Sequence, residues 1–155
     1  MTPAIHTAKK AGITFTLHEY GHSRQAPSYG EEAAKKLDVI PDRVFKTLVV
    51  ADENTKLYVA VVPVTSQLNL KLLARAAGVK KMTMADKKLV EKTTGYVLGG
   101  VSPLGQKKAL PTFVHATAQH LSTIFVSAGK RGLELELVPD DLLRITSGRY
   151  QTLCA

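Results

Sequence analysis

The chain is 155 residues long, 45% hydrophobic and 22% charged, with 21 lysines and arginines against 13 aspartates and glutamates and a formal net charge of +8. This predicts one globular domain over residues 1–155 with a buried core and excludes a disordered chain. No apolar run approaches the roughly 20 residues of a membrane-spanning helix, Met1-Thr2-Pro3-Ala4-Ile5-His6 has no signal-peptide pattern, and a lone cysteine, Cys154, excludes a disulfide framework; the expected setting is the cytoplasm.

In chain order, Thr2 and Pro3 read as the cap and first-turn proline of a short helix closed by Gly12. Ile13, Phe15 and Leu17 alternate with polar residues, which predicts a half-buried strand ending near Tyr20. Gly21 to Pro27 reads as loop, and Ser28-Tyr29-Gly30-Glu31 has the spacing of a capping box opening a helix through Leu37. The β-branched runs Val44 to Ala51 and Lys56 to Val62, joined by Asp52-Glu53-Asn54-Thr55, predict a hairpin. Helices are expected from Asn69 to Ala77, with Gly78 as the stop, and from Ala85 to Thr93. Strands follow at Tyr96–Leu98, Thr112–His115, Thr123–Ser127 and Leu133–Val138, with Asp140 capping a last short helix. Hairpins mixed with separate helices give an α+β class, with a mixed, mostly antiparallel sheet that curls towards a barrel.

Two segments follow strand-like runs and concentrate glycine: Gly99-Gly100-Val101-Ser102-Pro103-Leu104-Gly105 and Ser127-Ala128-Gly129-Lys130-Arg131-Gly132. Such turns expose N–H groups that bind anions or carbonyls, and Lys107, Lys130 and Arg131 stand beside them. With Lys71, Arg75, Lys80, Lys81, Lys87, Lys88 and Lys92 in one stretch, a polyanionic partner fits better than a merely solvated surface. No aromatic platform for single strands is present, so a folded RNA end is the better candidate.

Lys46 sits mid-strand between Val44, Leu48 and Val50 on its own face and Phe45 and Val49 on the other. Burying an unpaired ammonium is costly, so such a lysine needs a ligand or an anionic partner unless it lies on a sheet edge. Ser102 lacks the Gly-x-Ser-x-Gly spacing of a nucleophile elbow, and Pro103 after it has no N–H to donate. The histidines lack metal-ligand spacing, so neither metal nor cofactor is expected. Backbone dipoles and the substrate's own groups would have to supply much of any catalysis.

Met1-Thr2-Pro3-Ala4, Phe45-Lys46-Thr47-Leu48-Val49, Met84-Ala85-Asp86, Thr94-Gly95-Tyr96, Gly99 to Lys108 and Gly129-Lys130-Arg131-Gly132-Leu133, in this order and over nearly the whole chain, resemble the YbaK family of aminoacyl-tRNA deacylases. These are relatives of the editing domain inserted in bacterial prolyl-tRNA synthetases, and the cysteine-removing members are nearer than those that edit alanine or threonine. The resemblance implies a β-barrel-like sheet surrounded by helices and the removal of cysteine from mischarged Cys-tRNA(Pro), alongside prolyl-tRNA synthetase. It implies catalytic roles for Lys46 and Gly99, and substrate binding by Tyr20, Tyr29, Thr47, Gly100, Ser127, Gly129 and Glu134. In the family the substrate's thiol attacks its own ester, so no protein nucleophile is needed. Ala128 replaces a family glycine, and Tyr29 and Glu134 stand where phenylalanine and aspartate are common, changes that bear on selectivity. Two other functions share these features: a non-catalytic tRNA-binding accessory of the synthetase, and a water-using deacylase for alanyl or other esters.

Overall fold

The computed structural model describes residues 1–21 and 29–155. Its elements are α1 (Pro3–Ala11), β1 (Phe15–Glu19), α2 (Tyr29–Leu37), β2 (Phe45–Asp52), β3 (Leu57–Pro63), α3 (Leu70–Ala77), β4 (Met82–Met84), α4 (Lys87–Thr94), β5 (Thr112–His115), β6 (Ile124–Lys130), β7 (Leu133–Leu137), α5 (Pro139–Thr146) and β8 (Arg149–Gln151). Thr2 caps α1 as expected, and two further helices carry caps of the same kind. Thr2, Asn69 and Asp86 each accept an N–H from the first turn of α1, α3 and α4, and glycines in the left-handed region end all three.

β2 and β3 form the expected hairpin, in register from Phe45 opposite Pro63 to Ala51 opposite Leu57. β3 is buried along its whole length, as a strand covered on both faces must be. The strands assemble into two sheets, a three-stranded antiparallel one in the order β1-β7-β6 and a five-stranded mixed one in the order β4-β2-β3-β5-β8. In the larger sheet, β5 runs parallel to both β3 and β8. The expected barrel does not close. The described sheets touch through a parallel bridge from Val44 to Phe125.

The main core lies between the sheets, where Phe45, Val49, Val59 and Val61 meet Ile124, Val126, Leu135 and Leu137 under α1, α4 and α5. A second core, around Val50, Tyr58, Val62 and Phe113, covers the other face of the larger sheet with Leu73 of α3. A small cluster of Ala33 and Ala34 from α2 with Val44 and Phe125 sits at the junction of the sheets.

Some expectations are corrected. Tyr96–Leu98 is not a strand. Tyr96 is buried and donates its hydroxyl to the Leu104 carbonyl, and Val97 to Gly100 form a turn closed by a 2.9 Å bond from the Gly100 N–H to the Val97 carbonyl. Gly99 holds the third position of that turn with φ 94°, a conformation that favours glycine. β6 runs past Ser127 to Lys130, so most of the second glycine segment is an irregularity within a strand. Val138, not Asp140, precedes α5, because Pro139 supplies the first turn. β4 and β8 are absent from the sequence expectation. Ser28 of the capping box and all of the predicted loop after Gly21 lie outside the described residues.

Candidate active site

Along its outer edge β2 is met by β6 at Val44 and by β4 from Val50 to Asp52. Lys46, Thr47 and Leu48 fall in the interval, and a cavity of about 450 Å³ opens there. The Val49 carbonyl accepts the Ala85 N–H on this edge at 3.1 Å. Alternate residues of a strand direct both main-chain groups to the same side, so Thr47 turns its N–H and C=O into the gap. Its hydroxyl is buried and has no hydrogen-bond partner among the described residues. A buried hydroxyl left in that state costs free energy that a ligand can recover.

Lys46 is half-buried on this wall. No carboxylate pairs with it among the described residues, so its charge is available to a bound anion. It is held between apolar faces, as its place in the sequence predicts: Phe45 and Val49 enter the main core, whereas Leu48 packs against the second. Lys46 also acts at a distance on Cys154, whose thiol burial pushes up and the nearby ammonium pulls down.

The opposite wall comes from the hairpin of β6 and β7. Ser127 and Glu134 are cross-strand neighbours, and both line the cavity. The Ser127 hydroxyl accepts the Gly129 N–H at 3.1 Å, which fixes it within the irregularity at the end of β6. Glu134 is only 6% exposed, and burial pushes its carboxyl up to about 8. Near neutrality it therefore keeps its proton and can donate a hydrogen bond, the inverse of an ordinary carboxylate. Burial, aided by Glu134, pushes Tyr20 up to about 12, so the phenol on the cavity's edge is also a neutral donor.

Of the residues singled out from the sequence, the structure brings Tyr20, Lys46, Thr47, Gly99, Ser127 and Glu134 to this cavity. Gly100 and Gly129 stand behind the lining. A Cβ on Gly100 would lie 3.0 Å from Cα of Lys130, and one on Gly129 would meet the Tyr96 ring at 2.9 Å. These glycines let the two segments pack on each other. Ala128, where the family glycine is missing, is fully buried in the main core. Tyr29 opens α2, but its side chain lies outside the described residues. Sequence reasoning missed Gly30, Glu31, Val64, Met84 and Leu98 as lining, because chain separation hides their convergence. It also missed the nearly buried Glu32, which accepts from Arg131 at 3.1 Å.

No histidine or aspartate stands among the described lining residues to activate Ser127. Of the histidines, His18 bonds Glu136 at 2.9 Å, and His115 accepts the Leu153 N–H at 3.0 Å through Nδ1. The described lining can hold a substrate with the Lys46 cation, neutral donors and main-chain edges; the carboxyl opposite Ser127, that of Glu134, is held neutral by burial and is a poor base for it near neutrality.

The family model for the aminoacyl-tRNA editing domain matches residues 24–145. The chain belongs to that family. An aminoacyl-tRNA deacylase is accordingly the enzyme class of this editing domain. It is 41% identical over 149 residues to EbsC of Enterococcus faecalis, provisionally named a Cys-tRNA(Pro)/Cys-tRNA(Cys) deacylase, covering 96% of this chain and 90% of that protein. Its identity to YwhH of Bacillus subtilis, an uncharacterized protein, is 25% over 112 residues, 72% of this chain and 71% of that one. A solved structure described as a candidate trans-editing enzyme for prolyl-tRNA synthetase superposes with TM-score 0.86 at 21% identity, over 100% of this chain and 99% of that one. The hypothetical protein APE2540 gives 0.87 at 26% identity, over 99% of this chain and 100% of its own. No helix among the described residues is long and apolar enough to cross a membrane.

Proposed function

We propose that this editing domain removes cysteine from mischarged Cys-tRNA(Pro), with the cysteinyl thiol as the nucleophile. The observation that carries the reading is the cavity itself, in which Lys46, with no ion-pair partner among the described residues, lies beside a strand edge that no described strand covers, and in which no histidine or aspartate stands among the described lining residues to activate Ser127. The thiol sulfur bonds to the ester carbonyl carbon, the bond from that carbon to the terminal ribose oxygen breaks, and the thiol proton ends on that oxygen. The products are tRNA and a cyclic thiolactone.

Each lining group has a role in this step. Lys46 holds the terminal nucleotide and offsets charge developing near the ester. The turn at Gly99 and the free edge at Thr47 present main-chain dipoles to the carbonyl and the amine. Tyr20, Ser127 and neutral Glu134 orient the aminoacyl group, and Tyr29 belongs to the same set by its place in the sequence. Gly100 and Gly129 serve by packing the walls. Holding the thiol in attacking geometry supplies about 7–11 kcal/mol of the barrier. Cysteine is close to proline in size, so a synthetic pocket rejects it weakly and a second site must correct the error.

The EbsC name couples Cys-tRNA(Pro) with Cys-tRNA(Cys). A cavity of about 450 Å³ can enclose an aminoacyl group with part of the terminal nucleoside but not the tRNA body. Choice between the two tRNAs then comes from outside the cavity, for which a complex with prolyl-tRNA synthetase is the proposed source. The cytoplasm is the compartment this substrate implies. The test is deacylation of Cys-tRNA(Pro), Ala-tRNA(Pro) and Pro-tRNA(Pro) by the wild type and by Lys46→Ala. Rapid loss of cysteine alone, abolished in the variant, is expected. Tight binding without turnover would make the protein a carrier, and fast alanine release would make it a water-using deacylase.

A further inference from the structure

α4 borders a second cavity of about 250 Å³ and is fastened to the rim of the candidate active site. On one side, its Glu91 carboxylate accepts the Leu98 N–H at 2.9 Å, fastening the helix to the turn that rims the active site. On the other, Leu89 and Thr93 line the second cavity together with Thr55, Lys56 and Lys108. The segment carrying Lys107 and Lys108 is tied to the helix end, since their N–H groups bond the carbonyls of Thr94 and Thr93. Lys88 and Lys92, one turn apart, are exposed, as are Lys56, Lys107, Lys108 and Lys130.

None of these lysines is in an ion pair among the described residues. The acidic groups of the helix are occupied by the chain's own main chain: Asp86 accepts the Leu89 N–H, and Glu91 that of Leu98. The result is a band of exposed positive charge along α4, its Lys56 end resting over the Tyr58 ring. At the rim of the active site is an apolar step made of Met84, Val97 and Leu98, which are 54%, 72% and 50% exposed. Met84 and Leu98 also line the active site. Exposed apolar surface continuous with a site, flanked by exposed cations, suits a strand whose bases are unstacked and whose backbone is anionic.

We infer that α4, with Lys88 and Lys92 outermost and Lys56 and Lys108 on the rim of the second cavity, is the track for the phosphate backbone of the tRNA acceptor stem. The unpaired bases of the 3′ end cross Met84, Val97 and Leu98 before the aminoacyl group enters the active site. This rests on the reading of the first cavity as the site for that group. Phosphate contacts fix register and orientation, and they give binding a steep dependence on salt.

The test compares Lys88→Glu/Lys92→Glu with Lys71→Glu/Arg75→Glu, the same charge change at the same spacing on exposed positions of α3, which lines neither cavity. Each is assayed on full-length Cys-tRNA(Pro) and on a cysteinyl ester of the CCA trinucleotide. The α4 pair is expected to lower kcat/KM on full-length tRNA by roughly tenfold or more at low salt and to flatten the log–log salt dependence by about 2, one for each phosphate no longer neutralised. It leaves the trinucleotide rate unchanged, and the α3 pair changes neither rate by a comparable factor. Val97→Asp is expected to slow the trinucleotide but not a cysteinyl ester of adenosine alone. Equal losses for both charge pairs on full-length tRNA, or an equal loss on the trinucleotide, would overturn the track. No turnover of any cysteinyl substrate by the wild type would refute the reading of the active site and this inference with it.

Discussion

Glu134→Gln replaces a buried carboxyl with a group of the same shape that does not titrate. In the folded protein burial raises this carboxyl from 4.5 to about 8, so between those values the native state holds a proton that the unfolded chain has lost. Stability therefore falls as pH rises above the unfolded value, and the loss is complete once pH passes the folded value. Each pH unit inside the window costs about 1.4 kcal/mol, and from pH 5 to 8 the total is about 3 kcal/mol. That is a large fraction of the stability of a domain this size. Burial of His115 pushes its imidazole down and acts with the opposite sign, but it is common to both proteins and cancels in their difference. Urea unfolding of the wild type and variant at intervals from pH 5 to 9 gives that difference directly. The wild type should lose stability relative to Glu134→Gln throughout the window and run parallel to it above. Parallel profiles across the whole range would refute a neutral, desolvated carboxyl in the cavity wall.

Thr47→Val removes the buried hydroxyl that has no partner among the described residues; the folded protein should gain up to about 1 kcal/mol in urea unfolding while kcat/KM for the cysteinyl ester falls. Gly129→Ala places a methyl 2.9 Å from the Tyr96 ring at φ 110°, so stability should drop by about 1–3 kcal/mol, measured as a lower urea midpoint at unchanged slope. Tyr96→Phe strips the hydroxyl from a buried bond to the Leu104 carbonyl and should cost about 1–2 kcal/mol by the same measurement.

What the sequence makes legible here is mostly local. The cap at Thr2 and the stops at Gly12 and Gly78 are chemistry within one turn of chain, and they stand where expected. The hairpin of β2 and β3 is legible because two β-branched runs meet at a short polar turn. β4 and β8 are three residues each and exist because a neighbouring strand offers them an edge, which no local pattern records. Tyr96-Val97-Leu98 has the composition of a strand, yet Gly99 turns the chain at once and Tyr96 is drawn into the core.

The candidate site divides in the same way. Lys46 is conspicuous as a charge in an apolar strand, whereas the gap that makes it accessible depends on where β6 leaves β2 and β4 joins it. Glu134 and Glu136 alternate identically in β7, but Glu134 is buried on the cavity wall while Glu136 bonds His18, Thr123 and Arg43. The glycine segments point to the right place for a partly different reason. Gly99 shapes the rim, while Gly100 and Gly129 permit close packing behind it.

Whether the substrate supplies its own nucleophile is decided by comparing cysteinyl and seryl esters of the same tRNA(Pro) and identifying the product. The two aminoacyl groups differ by sulfur against oxygen and fill nearly the same space. A thiolactone from the cysteinyl ester is expected, with a seryl rate slower by roughly 10²-fold or more, since correct positioning alone is of no use to a group that attacks poorly. Comparable rates, with free cysteine and free serine formed directly by water, would contradict it.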